Sequence, residues 1–409
     1  MVQIAVLGHG VVGSGVVEVL DKNKQNIQRK AGVEIDLKYI LDIRDFPDSP
    51  HKDKFIKDFN VILNDPDIKV VVEVIGGIVP AYDFVKASLL AGKNVVTSNK
   101  ELVAQKGAEL LKLAGENHVN FLFEASVGGG IPIIRPLHQC LAANEIDEIA
   151  GILNGTTNFI LTKMIKEGMT LQDALAQAQR LGYAEANPAA DIEGIDTCRK
   201  ICILASLAFG SHVYPDCVQT SGITCITQQD MQYAQDAECV IKLIGQARST
   251  GEGKVYALVG PAFIRQSSQL AGIDDEFNGI LVRGDATGDV VFYGKGAGKL
   301  PTASAVIGDV IECVRAEGTI ASQSWEDSDG SNVLDYKTEP VVMYIRCEGD
   351  CAQVELLFGS VQTLSRKKQP PSEVAFLTPK MPEGEILAKL EQLAESGAQV
   401  LNTIRLLEY

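Results

Sequence analysis

The stretch VQIAVLGHGVVGSG, residues 2–15, decides the fold of the amino-terminal part of the chain. Val2–Leu7 is a mostly apolar run typical of a buried strand, and a helix is predicted at Val16–Arg29. In GHGVVG, residues 8–13, the first glycine permits a tight turn and the second lets a pyrophosphate approach the backbone. The third lets the helix lie close to the strand. The pattern therefore predicts a dinucleotide-binding strand-helix unit.

Strands and helices continue to alternate through the first third of the chain. Further strands are predicted at Ile35–Leu41, Lys69–Ile75, Asn94–Thr97 and Val119–Glu124, and helices at Ala81–Leu90 and Leu102–Leu113. Such alternation forms an α/β fold, a doubly wound parallel sheet of the Rossmann type. Ligands of these sheets bind beyond the carboxyl ends of the strands, where the segment TSNK, residues 97–100, is located. We therefore expect Lys100 to face the cofactor, with an exposed lysine at a helix start as the alternative.

The end of the second predicted strand bears on the choice of cofactor. It reads LDIRD, residues 41–45, and so offers both a carboxylate and an arginine. A carboxylate at this point holds the ribose 2′-hydroxyl of NAD, whereas an arginine beside it holds the 2′-phosphate of NADP. NAD and NADP both stay open, and Arg44 is equally compatible with an ordinary surface position.

The pattern changes at about Gly130. Helices are predicted at Ile133–Cys140, Thr156–Ile165, Leu171–Arg180, Ile195–Phe209 and Thr302–Arg315, and strands at Lys254–Ile264, Gly279–Arg283 and Asp289–Phe292. We therefore predict a dinucleotide-binding domain over 1–130 and an α+β catalytic and dimerisation domain over 131–319. Its last segment, 302–319, is expected to pack back on the first domain.

A second boundary is predicted near residue 320. Residues 320–338 are rich in Ser, Asp and Gly, contain the sole tryptophan, Trp325, and have the composition of a linker. A small α+β tail domain is predicted over 339–409. Its expected elements are strands at Pro340–Cys347, Glu373–Leu377 and Ala398–Leu407 and helices at Gln353–Val361 and Glu383–Ser396.

Charge and cysteine usage exclude several classes of protein. The 409 residues carry a formal charge of −16 and no basic patch, which argues against nucleic acid or a membrane as a partner. The nine cysteines are spread singly, as in reduced cytosolic proteins, with Cys347 and Cys351 as the one pair in question. A strand that begins at Val2 leaves no room for a signal peptide, so we expect a cytoplasmic protein.

Residues 182–200, GYAEANPAADIEGIDTCRK, place one lysine beside an apolar helical run. Asp196 and Lys200 are four positions apart and therefore share one face of the predicted helix. An exposed ion pair is the simpler interpretation of this spacing. The alternative is a buried lysine that transfers protons, because no charged side chain follows Lys200 before Asp216. Burial lowers a lysine pKa and a nearby carboxylate raises it, so the direction stays open.

Two further loops have the character of binding sites. EASVGGGIP, residues 124–132, contains three glycines that free carbonyl groups to turn toward one point and coordinate a hard cation, with an interdomain hinge as the alternative. GILNGTTN, residues 151–158, is predicted to be a strand-turn-helix junction that offers amides and hydroxyls, and an ordinary helix cap also explains it.

Together these motifs resemble the homoserine dehydrogenase family. The matching segments, in order, are GHGVVGSG, VVEVIGG, TSNKELVA, EASVGGGIP, GILNGTTNFIL, GYAEANPAADIEGIDTCRK and GKGAGKLPTASAV. The resemblance implies interconversion of L-aspartate 4-semialdehyde and L-homoserine with NADP or NAD, in the biosynthesis of threonine, methionine and isoleucine. The partner it implies is therefore a small-molecule substrate.

The resemblance also assigns roles to individual residues. Lys200 matches the family's proton donor, Asp196 its partner and Lys100 a second active-site lysine. Glu185 matches the residue that holds the substrate amino group, and Asp191 a further carboxylate of that site. The implied cofactor-binding residues are Gly8, Gly10, Val11, Val12, Gly13, Arg44, Ser98, Lys100 and Gly298. The implied backbone ligands of a structural sodium ion are Glu124, Val127, Gly129 and Ile131.

The tail resembles an ACT domain, the amino-acid-sensing module of many bacterial members of the family. The usual Asp-x-x-Gly turn after its first strand is replaced by EGDCA, residues 348–352, so binding of an effector such as threonine is a hypothesis. The family implies a homodimer or homotetramer. Two other classes of protein are alternatives to this interpretation. A phosphorylating semialdehyde dehydrogenase needs a nucleophilic cysteine beside a histidine, and a non-catalytic sensor would be expected to have lost the carboxylates and lysine of residues 185–200.

Overall fold

Two β-sheets organise the computed structural model, which describes residues 1–316, 318 and 325–409. Part of the predicted linker, residues 320–324, lies outside these described residues, as do positions 317 and 319 of the segment expected to pack back. Within the part of the chain that is described, no helix combines the length and the apolar character needed to cross a membrane.

The first sheet belongs to the amino-terminal part of the chain. Its strands are β1 (Val2–Leu7), β2 (Ile35–Leu41), β3 (Phe55–Ile56), β4 (Ile68–Glu73), β5 (Asn94–Thr97) and β6 (Phe121–Leu122). The helices between them are α1 (Val11–Lys22), α2 (Lys24–Ala31), α3 (Phe59–Leu63), α4 (Ala81–Leu90) and α5 (Lys100–Glu116). All neighbours are parallel, in the order β3-β2-β1-β4-β5-β6, which confirms the predicted Rossmann-type sheet.

Two predicted elements of this region were wrong in extent. The single helix predicted at Val16–Arg29 is two helices, which meet at Asn23, where the backbone leaves the helical conformation. Asparagine favours such breaks because its side chain competes for nearby backbone groups. The strand predicted at Val119–Glu124 shrinks to Phe121–Leu122, the two residues that pair with β5.

The rest of the chain is mixed. Its helices are α6 (Gly155–Glu167), α7 (Leu171–Arg180), α8 (Ala189–Ile192), α9 (Ile195–Phe209), α10 (Gln228–Asp236), α11 (Lys299–Arg315), α12 (Cys351–Phe358) and α13 (Glu383–Glu395). Its strands are β7 (Ile146–Ile152), β8 (Gln219–Thr220), β9 (Cys239–Gly251), β10 (Lys254–Arg265), β11 (Phe277–Gly284), β12 (Gly288–Lys295), β13 (Pro340–Glu348), β14 (Gln362–Leu364), β15 (Glu373–Leu377), β16 (Met381–Pro382) and β17 (Gln399–Leu407).

All eleven of these strands belong to one sheet. Nine follow the order β12-β11-β7-β9-β10-β17-β13-β15-β14, while β8 pairs with β10 and β16 with β13. The tail strands therefore extend the sheet of the second region, and the contact is a parallel pairing of β10 with β17. The mixed sheet confirms the α+β character that was predicted for this region.

The helix predicted at Ile133–Cys140 was wrong in type. A short π-helical turn at Pro136–Cys140 stands in its place. Pro136 has no backbone N–H, so a regular helix that begins at Ile133 would lose a hydrogen bond there. The helix α10 was not predicted, and neither was the strand β9. The strand is buried on both faces over most of its length and shows no alternation of polar and apolar residues.

Helix α11 joins the two regions. Its apolar side chains, among them Ala303, Val306 and Val310, belong to the core cluster that contains Val16 of α1 and Ile4 of β1. The close approach needs a small residue, because a β-carbon on Gly15 would lie 2.7 Å from the carbonyl oxygen of Lys299. Helix α11, which follows the strands β7–β12, thus forms part of the hydrophobic core around the first sheet.

The described part of the predicted linker is packed against the protein. Trp325 is only 6% exposed, and its indole N–H donates to His212 Nδ1 at 2.7 Å. The other ring nitrogen of His212 lies 2.9 Å from the carbonyl oxygen of Ala104 in α5. Burial of the one tryptophan holds the described residues around it against the protein despite the polar composition of the segment.

Candidate active site

A cleft of about 620 Å³ lies between the carboxyl edge of the first sheet and the second region. It is lined by five residues that the sequence singled out, together with the predicted cofactor residue Gly298. The five are Lys100, Glu185, Asp191, Asp196 and Lys200. The structure therefore brings together side chains that are as far as 100 positions apart in the chain.

Helix α9 positions the lysine and aspartate of the predicted pair. It begins directly after Gly194, whose φ of +83° is a left-handed conformation suited to glycine. Lys200 is 6% exposed and Asp196 4% exposed, so the pair is buried and the interpretation as an exposed ion pair was wrong. Lys200 Nζ lies 2.8 Å from Asp196 Oδ2 and donates to the carbonyl oxygen of Leu153 at 2.7 Å.

Asp196 is the centre of this cluster. Its Oδ1 forms an ion pair with Lys100, and its Oδ2 accepts from Asn154 Nδ2 at 2.9 Å in addition to the bond from Lys200. Burial opposes ionisation of the carboxyl group, but the two lysine ammonium groups outweigh it and hold the Asp196 pKa well below its usual value. The carboxylate is therefore charged at neutral pH.

The two lysines differ in their proton affinity. Burial lowers the pKa of Lys200, and the opposing attraction of Asp196 does not restore it. Burial is also the largest single effect on Lys100, but the charge and hydrogen bond of Asp196 and the charge of Asp191 together exceed it, so the pKa of Lys100 is raised. The question left open by the sequence is thus answered: Lys200 is the lysine whose charge is easier to remove.

Lys100 is held in place by a network at the end of β4 and β5. Glu73 is fully buried, and its carboxylate accepts from the Ile75 N–H at 2.7 Å and from Thr97 Oγ1 at 2.6 Å. Asn99 caps α5 through the Leu102 N–H at 3.1 Å, so Lys100 is the first residue of a fixed helix. Lys100 therefore lies at the edge of the sheet where the sequence placed it.

Asn154 links the two substrate-side carboxylates. Its Nδ2 donates to Asp191 Oδ1 at 2.7 Å as well as to Asp196, while its Oδ1 caps α6 at the Thr157 N–H. Burial raises the pKa of Asp191, and the hydrogen bond from Asn154 counteracts this only in part. The predicted junction at residues 151–158 was thus placed correctly, but the sequence did not single out Asn154 within it.

Several other lining residues were not assigned from the sequence. Arg199 donates to Glu101 at 2.7 Å at one side of the cleft. Glu276, Asn278 and Lys295 enter from the hairpin of β11 and β12. No local signal marks these three residues, since they reach the cleft only through the long-range pairing of the second sheet.

The glycine-rich loop opens onto a second cavity of about 390 Å³. Gly8 has a φ of +98°. A β-carbon on Gly13 would collide with the carbonyl oxygen of Gly8, which is the close approach expected of the third glycine. Around Gly10 nothing lies within 4 Å of a β-carbon position, so the side on which a pyrophosphate is expected is open. Val11 and Val12 begin α1.

Asp42 and Arg44 meet in this second cavity. Asp42 accepts from the His9 N–H at 2.7 Å and forms a two-pronged pair with the Arg44 guanidinium at 2.9 and 3.0 Å. The arginine holds the Asp42 pKa well below its usual value. Ser98 follows β5 and lines neither of these two cavities.

The loop predicted to bind a cation packs beside Gly296, which lines the cleft. Glu124, Val127, Gly129 and Ile131 are all buried. Among the described residues, no backbone or side-chain donor is found for the carbonyl groups of these four positions. The side chain of Glu124 points elsewhere and accepts from the N–H groups of residues 133–135 at 2.6–2.9 Å.

A parallel sheet with a glycine-rich loop, opposite a cleft that contains a buried lysine beside a carboxylate, defines a dehydrogenase that uses a nicotinamide dinucleotide. Two family models match the chain: the NAD-binding domain of homoserine dehydrogenase over residues 8–124 and homoserine dehydrogenase over residues 132–311. The chain belongs to the homoserine dehydrogenase family and is an NAD(P)-dependent oxidoreductase.

Individual relatives agree with these matches. A homoserine dehydrogenase from Synechocystis sp. is 37% identical, with 99% of each chain covered. The crystal structure of a homoserine dehydrogenase from Thiobacillus denitrificans has a TM-score of 0.91 at 34% identity and covers 100% of this chain and 98% of its own. A hyperthermophilic archaeal homoserine dehydrogenase mutant in complex with NADPH has a TM-score of 0.65 at 28% identity and covers 76% of this chain and 97% of its own.

Proposed function

We propose that Lys200 is the proton-transfer residue in the interconversion of L-homoserine and L-aspartate 4-semialdehyde. The cofactor, when bound, supplies or accepts the hydride at C4 of its nicotinamide ring. The main observation behind this proposal is the hydrogen bonding of Lys200. Its ammonium group has three N–H donors, of which one bonds to the carbonyl oxygen of Leu153 and one to the carboxylate of Asp196. The third is left for a substrate oxygen in the cleft.

The lowered pKa of Lys200 supports this role in both directions. Reduction of the aldehyde needs an ammonium group that gives a proton to the oxygen, and oxidation of the alcohol needs a neutral amine that takes it. Proton transfer is most efficient when the pKa of the group is near the working pH. Burial lowers the pKa of Lys200 from the ordinary lysine value toward neutral pH.

The other residues of the cleft are proposed to bind and orient the substrate. Glu185 and Asp191 bring carboxylates to the lining of the cleft and suit the substrate ammonium group. Lys100 neutralises Asp196 and lies where the cofactor and substrate would meet. Asp196 acts through the two lysines, by fixing their positions and charges.

A pair of lysine variants tests this proposal. Lys200→Met keeps most of the volume of the side chain and should lower kcat about 10²–10⁴-fold, the usual contribution of a positioned acid or base. Lys242→Met is the matched control, because Lys242 is 3% exposed but does not line the cleft. Its kcat should stay within about twofold, whatever its stability. A Lys200→Met enzyme with near-normal turnover, or equal losses in both variants, would contradict the assignment.

For the cofactor, the proposed binding residues are Gly8, Gly10, Val11, Val12, Gly13, Arg44, Ser98, Lys100 and Gly298. The archaeal relative was solved with NADPH, and the exposed guanidinium of Arg44 supports a 2′-phosphate contact in this chain. Asp42 is already bound by His9 and Arg44, which leaves it less able to accept from a ribose hydroxyl. We therefore propose NADP as the better cofactor and NAD as the alternative. Initial rates with L-homoserine and each cofactor distinguish them.

A structural sodium ion fits the loop of Glu124, Val127, Gly129 and Ile131. The four carbonyl groups without donors are hard oxygen ligands in a buried position, where an unpaired carbonyl is costly. Melting temperatures in sodium chloride and in choline chloride at equal ionic strength test the proposal. Sodium should raise the melting temperature, and equal values in the two salts would contradict it.

The tail is proposed to be an ACT-like module that senses an amino acid such as threonine. Its order of elements includes the strands and helices expected of such a module, and the loop at residues 348–352 is the point of divergence. Titration of threonine into activity assays of the full chain should reduce turnover. No inhibition at millimolar threonine would contradict the proposal.

We further propose a homodimer or homotetramer in the cytoplasm. β12 is an edge strand with Tyr293 58% exposed, and edge strands favour pairing with a second copy. All nine cysteines, including Cys347 and Cys351, are free thiols, as a reducing compartment requires. Light scattering after gel filtration gives the number of subunits, and a monomeric mass would contradict the assembly.

A further inference from the structure

Two neighbouring ion pairs join helix α5 of the first region to helix α9 of the second. The first, between Lys100 and Asp196, belongs to the site described above. In the second, Arg199 of α9 donates to Glu101 of α5 at 2.7 Å. The two pairs have opposite polarity, because α5 presents a cation and then a carboxylate, while α9 presents a carboxylate and then a cation. The proposed mechanism uses only the first pair, so the second has no assigned role.

Arg199 shares one face of α9 with the groups that the mechanism uses. Asp196, Arg199 and Lys200 are at positions i, i+3 and i+4 of the helix, so their side chains are neighbours. Glu101 is the second residue of α5 and directly follows Lys100. The Glu101–Arg199 pair therefore lies next to the ion pair on which the proposed mechanism depends.

The second pair is partly shielded from water. The side chain of Arg199 is 22% exposed and that of Glu101 is 28% exposed. A partly buried ion pair is screened by salt less than an exposed one, so its attraction is stronger. The guanidinium of Arg199 is also close enough to Lys100 to repel it. Glu101 thus engages a cation that would otherwise act on Lys100.

Loss of either member of this pair would loosen Lys100. Without Glu101, the Arg199 guanidinium is free to compete with Lys100 for Asp196, which lies on the same face of α9. Without Arg199, Lys100 is held by Asp196 alone, because no other ion pair joins α5 to α9 among the described residues. The Lys100 side chain is 41% exposed, so it can then turn toward water.

We propose that Glu101 and Arg199 form a clamp between α5 and α9 that keeps Lys100 on Asp196. Both are positioning residues, which act through Lys100 and contact neither the substrate nor the cofactor. The inference rests on the proposed function, since that function gives Lys100 and Asp196 their roles. It adds a connection between the helix that follows the first sheet and the helix that carries Lys200.

Substitution of each member tests the clamp. Glu101→Gln keeps the shape of the side chain and removes its charge, and Arg199→Met removes the guanidinium. Each should lower kcat for L-homoserine oxidation about 10–100-fold, up to the usual cost of moving a reacting group by about 1 Å. The KM for L-homoserine should stay within about threefold, because Glu185 and Asp191 are untouched. A near-normal kcat in either variant overturns the proposal, and Glu101→Gln alone carries the test if Arg199→Met fails to fold.

The double variant shows whether the two residues act as one unit. Once the pair is broken, loss of the second member removes nothing more, so the double variant should lower kcat by about the same factor as either single change. Independent contributions would multiply to about 10²–10⁴-fold and overturn the proposal. A tenfold rise of the KM for L-homoserine or for the cofactor in Arg199→Met, without such a rise in Glu101→Gln, also overturns it, because Arg199 would then bind the ligand directly.

A kinetic isotope effect separates positioning from a general loss of structure. L-Homoserine that carries deuterium on C4 breaks a C–D bond in the hydride transfer, and a misplaced Lys100 slows that step. The isotope effect on kcat in both single variants should therefore equal or exceed that of the wild type. A smaller isotope effect would show that another step, such as product release, had slowed, and it would overturn the proposal.

Glu109→Gln is the matched control on the same helix. Glu109 forms an ion pair with Lys86 of α4 at 2.9 Å, and the two side chains are 42% and 40% exposed. Since this pair lies within the first region, kcat of the control should stay within about twofold. Helices α5 and α9 both contribute to one hydrophobic cluster, so the clamp variants should remain folded. Equal losses of kcat in Glu109→Gln and Glu101→Gln overturn the proposal. Failure of the wild type to oxidise L-homoserine would instead refute the proposed function.

Discussion

Asp196→Asn is the most informative single change, because Asp196 sets the charge of two lysines at once. Coulomb's law at an effective dielectric constant of about 20 gives roughly 6 kcal/mol for unit charges at the 2.8 Å between Lys200 Nζ and Asp196 Oδ2. Desolvation offsets part of this, and removal of one partner from a buried pair costs about 3–5 kcal/mol of stability. We expect the lower end, because the Lys100 side chain is 41% exposed and can turn toward water.

The variant should also change how stability and activity depend on pH. Asp196 raises the pKa of Lys200, so its neutralisation lowers that pKa further. A lysine whose folded pKa lies below its unfolded value binds fewer protons in the native state, so stability rises with pH up to the ordinary lysine value of 10.5. Homoserine oxidation needs the neutral amine, and the acidic limb of kcat/KM should therefore move to lower pH. Semialdehyde reduction at pH 7 should fall.

The assay is a pH series of initial rates followed by the absorbance of the reduced cofactor, with urea denaturation at each pH. Asp230→Asn is the matched control, because Asp230 is 0% exposed and pairs with Arg346 at 2.9 Å, far from the cleft. It should lose comparable stability without any shift of the pH profile. An unmoved acidic limb in Asp196→Asn, or the same movement in the control, would show that Lys200 is not the titrating group.

Three further outcomes follow from the nucleotide loop and the core. Arg44→Ala should raise the KM for NADP about tenfold or more and leave that for NAD within a few-fold, and an unchanged ratio of the two constants would contradict a 2′-phosphate contact. Gly13→Ala should abolish measurable cofactor binding in a fluorescence titration, because the new β-carbon would collide with the carbonyl oxygen of Gly8, so retained affinity would refute the close approach. Trp325→Phe should cost about 1 kcal/mol through the lost bond to His212, and an unchanged urea midpoint by circular dichroism would refute that contribution.

The parts of the molecule that follow from local patterns were predictable. The glycine-rich loop, the strands around it and the helix Ile195–Phe209 are encoded by neighbouring residues, and the structure has them at or near the expected positions. The close grouping of Lys100, Glu185, Asp191, Asp196 and Lys200 was also predictable, because the family resemblance supplied what spacing alone left open.

What could not be predicted depends on contacts between distant segments. Asn278 reaches the cleft through the pairing of β11 with β7, which no local pattern reveals. The burial of Lys200, and hence the direction of its pKa shift, depends on Leu153 and on the second sheet behind α9. The segment that carries Trp325 is a similar case, because its composition is that of a linker. Only the hydrogen bond from Trp325 to His212, which in turn contacts Ala104, shows that this part of it is packed.

The parallel pairing of β10 with β17 has a consequence for the synthesis of the protein. Ala262 pairs with Arg405 and Ile264 with Leu407, so a strand in the middle of the large sheet is completed by a segment that is synthesised 143 residues later. Until then β10 presents an unpaired edge, a template for pairing with other chains. The amino-terminal sheet can form before those residues are made, whereas the large sheet stays incomplete until β17 has emerged. We expect chaperones to be needed mainly in that interval.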